Sequence, residues 1–287
     1  MDTLEIIEKI ARIPSFTSFE ERMHPFLFGY FDALRIPGLE IIPVPDNNLV
    51  VRIPGKRKGR IIALSAHLDK IDHFGEPEKP ALDFRNDGSK LTGLLDDAAG
   101  IGIILGLMQQ YHTHEFFDIY LLFSECEEGM SLRKNREHLK GNADGLTAMI
   151  GSERISRYLI QNDIAPDIVI TVDVTPKFEG SEGIAVYDTF WAGKNFKPPE
   201  ALLDKTRSVT DYFRRRDVNI LFSHNTNDYI NYGMLLNNHF NQQGREIVSI
   251  AIEPAVFPYH SHDEGIYISD IRKIEELLLN LLTRYIV

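Results

Sequence analysis

Apolar residues open the chain at helical spacing. Leu4, Ile7, Ile10 and Ile13 recur every third residue, which predicts an amphipathic helix over 2–12 that stops near Pro14. A second helix is expected near 18–34, beginning after Ser15 and Ser18. The period then changes. LEIIPV, NLVVRI and RIIALSA read as strands, the last two joined by the basic turn Pro54-Gly55-Lys56-Arg57-Lys58-Gly59. AAGIGIILGLMQQY, residues 98–111, is an apolar helix whose small residues suit close packing on a sheet. FFDIYLLF is a buried strand, a helix near 151–162 leads into the strand DIVITVD, and GIAVYD gives another. Helices near 200–214 and 228–240 follow, then the strand REIVSIAI. The last element is a helix from Ser269 to Tyr285 with Asp270 in its first turn. Strands alternating with helices predict an α/β fold, a three-layer α/β/α sandwich around a mostly parallel, mixed central sheet. No internal repeat or low-complexity linker divides the chain, so residues 1–287 are expected to form one domain.

In open α/β sheets, ligands bind beyond the carboxyl ends of the strands. RIIALSA runs out at His67 and Asp69, FFDIYLLF at Glu127 and Glu128, and DIVITVD at Asp173. REIVSIAI is followed by a loop carrying His260 and His262. Potential metal ligands therefore fall where four expected strands end.

Each candidate has a bland and a sharp reading. His67 and Asp69 are two apart on an extended backbone and share a face, so Asp69 can accept the second ring N–H of a metal-bound His67. Asp96 and Asp97, between Leu94-Leu95 and the small-residue helix, suit a helix N-cap with a first-turn acid. They suit equally a carboxylate bridging two cations, or a phosphorylatable aspartate. Glu127 and Glu128 are neighbours that point in different directions on an extended backbone. One can hold a metal while the other faces the activated water as general base. Asp173 ends a β-branched run, a costly place for a lone charge. His260 is a surface histidine or a ligand. Five such coincidences at strand ends favour the metal.

Composition narrows the classes. Hydrophobic content of 43% and charged content of 25% are ordinary for a globular chain. A formal net charge of −11 disfavours nucleic acid and anionic membranes as partners. One cysteine excludes an internal disulfide and fits a reducing compartment. The N-terminus lacks the basic start and apolar run of a signal peptide, and no apolar stretch nears membrane-spanning length, so a cytoplasmic protein is expected. No G-x-S-x-G supports serine hydrolysis, and HEFFD at 114–118 lacks the second histidine of a zincin helix.

The order HxD, DD, EE, D and H resembles the co-catalytic di-zinc exopeptidases: aminopeptidases, carboxypeptidases, tripeptidases and related amidohydrolases. ARIPSFTSFEER is similar to their N-terminal "PS…E" segment. DGSKLTGLLDDAAGIGIIL is similar to the segment supplying the bridging aspartate in tripeptidases and deblocking aminopeptidases. YHSHDEGIYISD is similar to their late "HS..E" element. The resemblance implies His67 and His260 as terminal ligands and Asp96 as the bridge. Glu128 and Asp173 are the remaining ligands, with Glu127 as base and Asp69 behind His67. It also implies a cis peptide between Asp96 and Asp97, and His260 rather than His262 as the ligand, from its spacing to Glu264 and Asp270. The family's Glu-Glu is often followed by a hydrophobic-Gly pair, whereas Gly129 comes immediately here. Only 26 residues separate Asp69 from Asp96, and 86 separate Asp173 from His260, so the chain resembles the compact members without an inserted lid or dimerisation domain.

The expected activity is therefore that of a cytoplasmic di-zinc metallo-exopeptidase, an aminopeptidase on short peptides. Two divalent ions are implied, zinc first, with Co2+ or Mn2+ as substitutes. Two rivals stay open. An N-acyl amino acid deacylase or carboxypeptidase needs the same metals and a guanidinium for the free carboxylate, a role the sequence assigns to no arginine. A non-catalytic or phosphotransfer domain would use Asp96 alone. Residues 174–245 are expected to contribute the wall of the substrate pocket, with Tyr187, Phe190, Trp191 and Arg214-Arg215-Arg216 either in that wall or, for the aromatics, in the core.

Overall fold

The computed structural model describes residues 1–71, 83–134, 136–140, 145–192, 194–216, 219–221 and 227–284. Its elements begin with α1 (Thr3–Ala11), α2 (His24–Leu34), β1 (Glu40–Pro43), β2 (Leu49–Ile53) and β3 (Ile61–His67). Next come β4 (Arg85–Asn86), β5 (Lys90–Gly93), α3 (Ala98–Met108), β6 (Asp118–Ser124), α4 (Gly129–Lys134) and α5 (Ile150–Gln161). The second half holds β7 (Ile168–Val172), β8 (Ile184–Tyr187), α6 (Glu200–Arg214), β9 (Asn219–Leu221) and α7 (Asp228–Phe240). β10 (Val248–Pro254), β11 (Glu264–Tyr267) and α8 (Ile268–Arg284) complete it.

Among the described residues, eight strands form the central sheet in the order β1-β2-β6-β3-β7-β10-β8-β9. Its heart, β6-β3-β7-β10, is parallel, as is β8-β9, while β1, β2 and β8 join antiparallel. Alternate side chains separate the two faces, as the pleat requires. Ile62, Leu64, Leu121, Ile168 and Ile170 enter one core with α1, α2, α3, α6 and α8. Ala63, Tyr120, Leu122 and Val169 enter a second with α5 and α7. The three-layer sandwich with a mostly parallel sheet is thus realised. No described helix is long and apolar enough to cross a membrane.

Several elements were not expected from the sequence. The expected helix over 18–34 opens as a 3-10 turn, Glu20–Met23, and becomes α-helical at His24. β10 continues two residues beyond REIVSIAI to Pro254, and α8 starts at Ile268; Tyr285 lies outside the described residues. α4 and β9 are too short to show a period. β11, β5 and β4 form a second, three-stranded sheet. This small sheet flanks two of the candidate ligands, since β5 leads into Asp96 and β11 comes after the loop of His260. The Val256–Ile266 bridge and paired Phe257–Gly265 backbone bonds of 3.1 Å close that loop at its base.

Candidate metal centre

The parallel register levels the strand ends. His67, the last residue of β3, lies opposite Ser124, the last of β6. Leu68 N–H then donates to Ser124 O at 2.7 Å. Asp173 leaves β7 with its N–H on Ile252 O of β10 at 3.3 Å. The loop after β10 and the turn after β5 bring His260 and Asp96 over the same edge.

There the side chains form two sets joined by one residue. His67 Nε2 is 3.0 Å from Asp96 Oδ1 and 3.7 Å from Asp173 Oδ1. His260 Nε2 is 3.5 Å from Asp96 Oδ2 and 3.6 Å from Glu128 Oε2. Asp96 thus turns one oxygen to each imidazole. Asp96, Glu128 and His260 lie close enough together to share an ion, and so do His67, Glu127 and Glu128. His262 falls in none of these groups among the described residues.

Asp96 and Asp97 point different ways, although Asp97 also lies close enough to His67 and Asp173 to share an ion. Asp96 faces the centre. Asp97 is the N-cap of α3, accepting from Gly100 N at 2.8 Å and from His67 N at 3.3 Å. A side chain at Gly100 would collide with Asp97 and with the Val172 carbonyl, so glycine lets the helix start this close to β7. The peptide between the aspartates is cis, as the resemblance implied.

LLFSECEEGM resolves in the same way. Glu125 points away, accepting from Asn47 N at 3.0 Å, Asn48 Nδ2 at 2.6 Å and Arg154 Nη1 at 2.5 Å. Cys126 takes a left-handed φ of 52°. Its N–H donates to Glu20 Oε1 at 3.2 Å and its carbonyl accepts from Met149 N at 2.6 Å. That turn presents Glu127 and Glu128 to the cleft.

Asp69 holds the pair by the backbone. Its Oδ1 accepts from Glu127 N at 2.9 Å, and its Oδ2 from Glu128 N at 3.1 Å and Thr17 Oγ1 at 2.8 Å. His67 Nδ1 lies 2.9 Å from the Asp69 carbonyl oxygen and 3.3 Å from Oδ1. Both are acceptors, so Nδ1 carries the proton.

Three supporting residues escaped the sequence reading in their roles. Glu264 Oε2 accepts from Leu95 N at 2.8 Å and Asp96 N at 3.1 Å, fixing the turn before α3. Asn227 Nδ2 donates to Asp173 Oδ2 at 2.6 Å and to Glu253 Oε1 at 3.0 Å. Glu20 links the N-terminal segment to Cys126. Only the "HS..E" and "PS…E" spacings signalled Glu264 and Glu20, and nothing signalled Asn227.

The electrostatics call for positive charge. Burial pushes the carboxyls of Asp97, Glu127, Glu128, Asp173, Glu253 and Glu264 up, and neighbouring carboxylates add to it. Burial alone would lower His67, yet Asp173, Asp69 and Asp96 outweigh it and hold the imidazole above its usual range. Burial would raise Asp96, but His260 and His67 hold it below. A metal ion in place of the Nε2 proton would leave His67 neutral, with its proton on Nδ1 and an Nε2 lone pair toward the Asp96 side. Two acceptors 3.0 Å apart require a proton or a cation between them. Glu128 Oε1 and His260 Nε2 have no hydrogen-bond partner among the described residues. Imidazole and carboxylate donors left unpaired in this way fit divalent metal ions, zinc among them.

A cleft of about 260 Å³ opens over these groups. Asp96, Glu127, Glu128, Asp173 and His260 line it, with Met130, Arg133, Met149, Asn227 and Tyr259. From residues 174–245, Val174 and Asn227 reach it. Tyr187 and Phe190 are buried in the core, and Trp191 packs against Phe190 there.

Residues 48–175 match the model of Peptidase family M28, a stretch that contains His67, Asp69, Asp96, Glu127, Glu128 and Asp173. The fold extends the likeness over the whole chain. The TET aminopeptidase from the marine sediment archaeon Thaumarchaeota archaeon SCGC AB-539-E09 superposes with a TM-score of 0.68 at 12% identity, covering 99% of this chain and 97% of that one. The likeness to this aminopeptidase is one of fold and runs over nearly the whole chain. The TET1 peptidase of Pyrococcus horikoshii, which can assemble into a tetrahedron or a large octahedral shell, gives 0.64 at 14%, covering 99% and 100%. A tripeptidase from Staphylococcus aureus gives 0.63 at 14%, covering 98% and 97%. No curated protein matches in sequence. The acidic cluster lies at the strand edge within and beside the matched stretch.

Proposed function

We propose that the chain is a metallo-aminopeptidase acting on short peptides, with residues 1–287 as a single catalytic domain. His67 and Asp173 would hold one divalent ion and Glu128 and His260 a second, with Asp96 available to both. The observation that carries the reading is Asp96, whose Oδ1 faces His67 and whose Oδ2 faces His260. Zinc is the proposed metal, with Co2+ or Mn2+ as substitutes. Such ions supply Lewis acidity at a scissile carbonyl and lower the pKa of water. Glu127 is the proton carrier. Its backbone is fixed by Asp69, its carboxyl lines the cleft, and burial raises its proton affinity toward the range a general base needs. It takes the proton of the attacking water and delivers it to the departing amine. Asp69 acts through His67 and through the Glu127-Glu128 backbone. Val174 and Asn227 give the 174–245 segment its part in the wall. A cytoplasmic setting belongs to the proposal and is supported by the one cysteine, Cys126, being buried and free.

A panel of aminoacyl and N-acyl chromogenic substrates and short peptides, assayed with and without chelator, tests this. Aminoacyl substrates should be cleaved, chelation should abolish cleavage, and zinc should restore it. Chelator-sensitive turnover confined to N-acyl substrates would replace the aminopeptidase with a deacylase. Metal analysis finding one tight ion, with no gain on adding zinc, would refute the pair.

A further inference from the structure

Among the described residues that line the cleft, four are acidic and one is an arginine. Asp96, Glu127, Glu128 and Asp173 face it, and so does Arg133, one turn into α4. Arg133 is exposed and meets no carboxylate partner among the described residues. Several other arginines of the chain are paired with acids. Arg154 pairs with Asp46 and Glu125, Arg207 with Glu200 and Asp204, and Arg245 with Asp163.

We propose that Arg133 receives the C-terminal carboxylate of the bound substrate, so that this cleft selects di- and tripeptides. The inference rests on the aminopeptidase reading and names its substrate class. A guanidinium is a planar fork matched to a carboxylate. The acids of the cleft are committed to the metal centre and do not compete for it. Arg133 lies five positions after Glu128, about 7.5 Å at helical rise. Two extended residues span about 7 Å. A peptide whose scissile bond lies at the metals therefore brings a carboxylate one or two residues downstream within reach of Arg133. The cleft's 260 Å³ lies below the usual range for larger ligands and agrees with a short peptide.

The chemistry recognised is a carboxylate, which an acidic side chain could also offer. The test uses the metal-replete protein with Leu-Gly-Gly, its C-terminal amide, and Leu-Gly-Asp amide, on the natural chain and on Arg133→Gln and Arg133→Lys. Calorimetry of the same peptides with Glu127→Gln protein, with and without Arg133→Gln, gives a readout independent of turnover. The free acid should be favoured over the amide by roughly 10- to 100-fold in KM, the worth of one charge-assisted pair. Arg133→Gln should bring that ratio close to one, and Arg133→Lys should restore part of it. An acid-to-amide ratio near one, or one indifferent to Arg133→Gln, overturns the proposal. If Leu-Gly-Asp amide binds as well as the free acid, the carboxylate read is a side chain and the length selection is wrong. Failure to cleave any peptide would sink the aminopeptidase reading instead, and the calorimetric ratio would still decide Arg133.

Discussion

Asp69→Asn changes one atom and should be costly in a way the hydrogen bonds allow to be worked out. Each carboxylate oxygen faces two donors: Oδ1 has Glu127 N and His67 Nδ1, and Oδ2 has Thr17 Oγ1 and Glu128 N. Asn keeps one acceptor and turns the other into an NH2 group. With the amide nitrogen at the Oδ1 position, it meets two fixed N–H donors. At the Oδ2 position the Thr17 hydroxyl can rotate to accept, leaving only Glu128 N orphaned. The second arrangement is the cheaper. It loses one charge-assisted bond in a fully buried site, about 1.5–3 kcal/mol, and weakens the others by removing the charge. A total near 3 kcal/mol corresponds to roughly 5 °C in melting temperature for a chain of this size. Activity should fall 10- to 100-fold, as for other groups that orient a metal-bound histidine. Urea and thermal unfolding of chelated protein give the stability, and peptide turnover of zinc-loaded protein gives the rate. Thr17→Val is the control, since it removes one neutral donor and should cost about 1 kcal/mol with little change in rate. Asp69→Asn protein with an unchanged urea midpoint and turnover within twofold of the natural chain would refute the account.

Glu127→Gln should lower turnover by roughly 10²–10⁴-fold while metal analysis still finds both ions; near wild-type turnover would remove it as the base. Glu128→Gln should instead lose metal. His260→Ala should weaken metal binding and His262→Ala should not, and the opposite result would shift the register of the late loop by two residues. Glu20 gives a pH signature. Burial first, and Asp69 second, raise its carboxyl from 4.5 to about 8. A raised folded pKa contributes stability that is fully present below 4.5 and lost as the pH climbs toward 8. The stability difference between wild type and Glu20→Gln should therefore fall through that window by at most roughly 1.4 kcal/mol per pH unit. Parallel stability curves for the two proteins would exclude the shift.

Long elements with a clear period were legible in the sequence. The 3-3-3 spacing of Leu4 to Ile13 and the apolar runs of β3, β6, β7 and β10 marked the sheet and the helix on it. The rule that ligands gather at carboxyl strand ends then located His67, Asp173 and the Glu127-Glu128 pair without any neighbour known. What stayed hidden is local and short. β4 is two exposed residues and β5 and β11 are four each, too few to show alternation. Hence the small sheet that hangs Asp96 beside His260 could not be foreseen, nor the grip of Glu264 on the Leu95 and Asp96 amides. Arg133 was invisible for a different reason. A basic residue in MSLRKN reads as solvated surface, and only the path of α4 brings it to the cleft. The Asp96-Asp97 pair could not be divided in sequence because capping and metal binding ask for the same residue type; in the structure Asp97 caps α3 and Asp96 lines the cleft.

The candidate donors are scattered along the chain from residue 67 to residue 260, and most of them meet because four parallel strands lie side by side. A ribosome that has made β3, β6 and β7 has exposed three of the anchor points and still lacks β10 and its loop. Before that last strand is added beside β7, a cation would find an incomplete half-shell, with His260 missing and Asp173 without the Ile252 carbonyl that fixes its backbone. Metal capture should therefore be nearly the final event in the birth of this molecule. On the proposed ligand set, a nascent or truncated chain would bind a metal ion poorly, a safeguard written into the strand order.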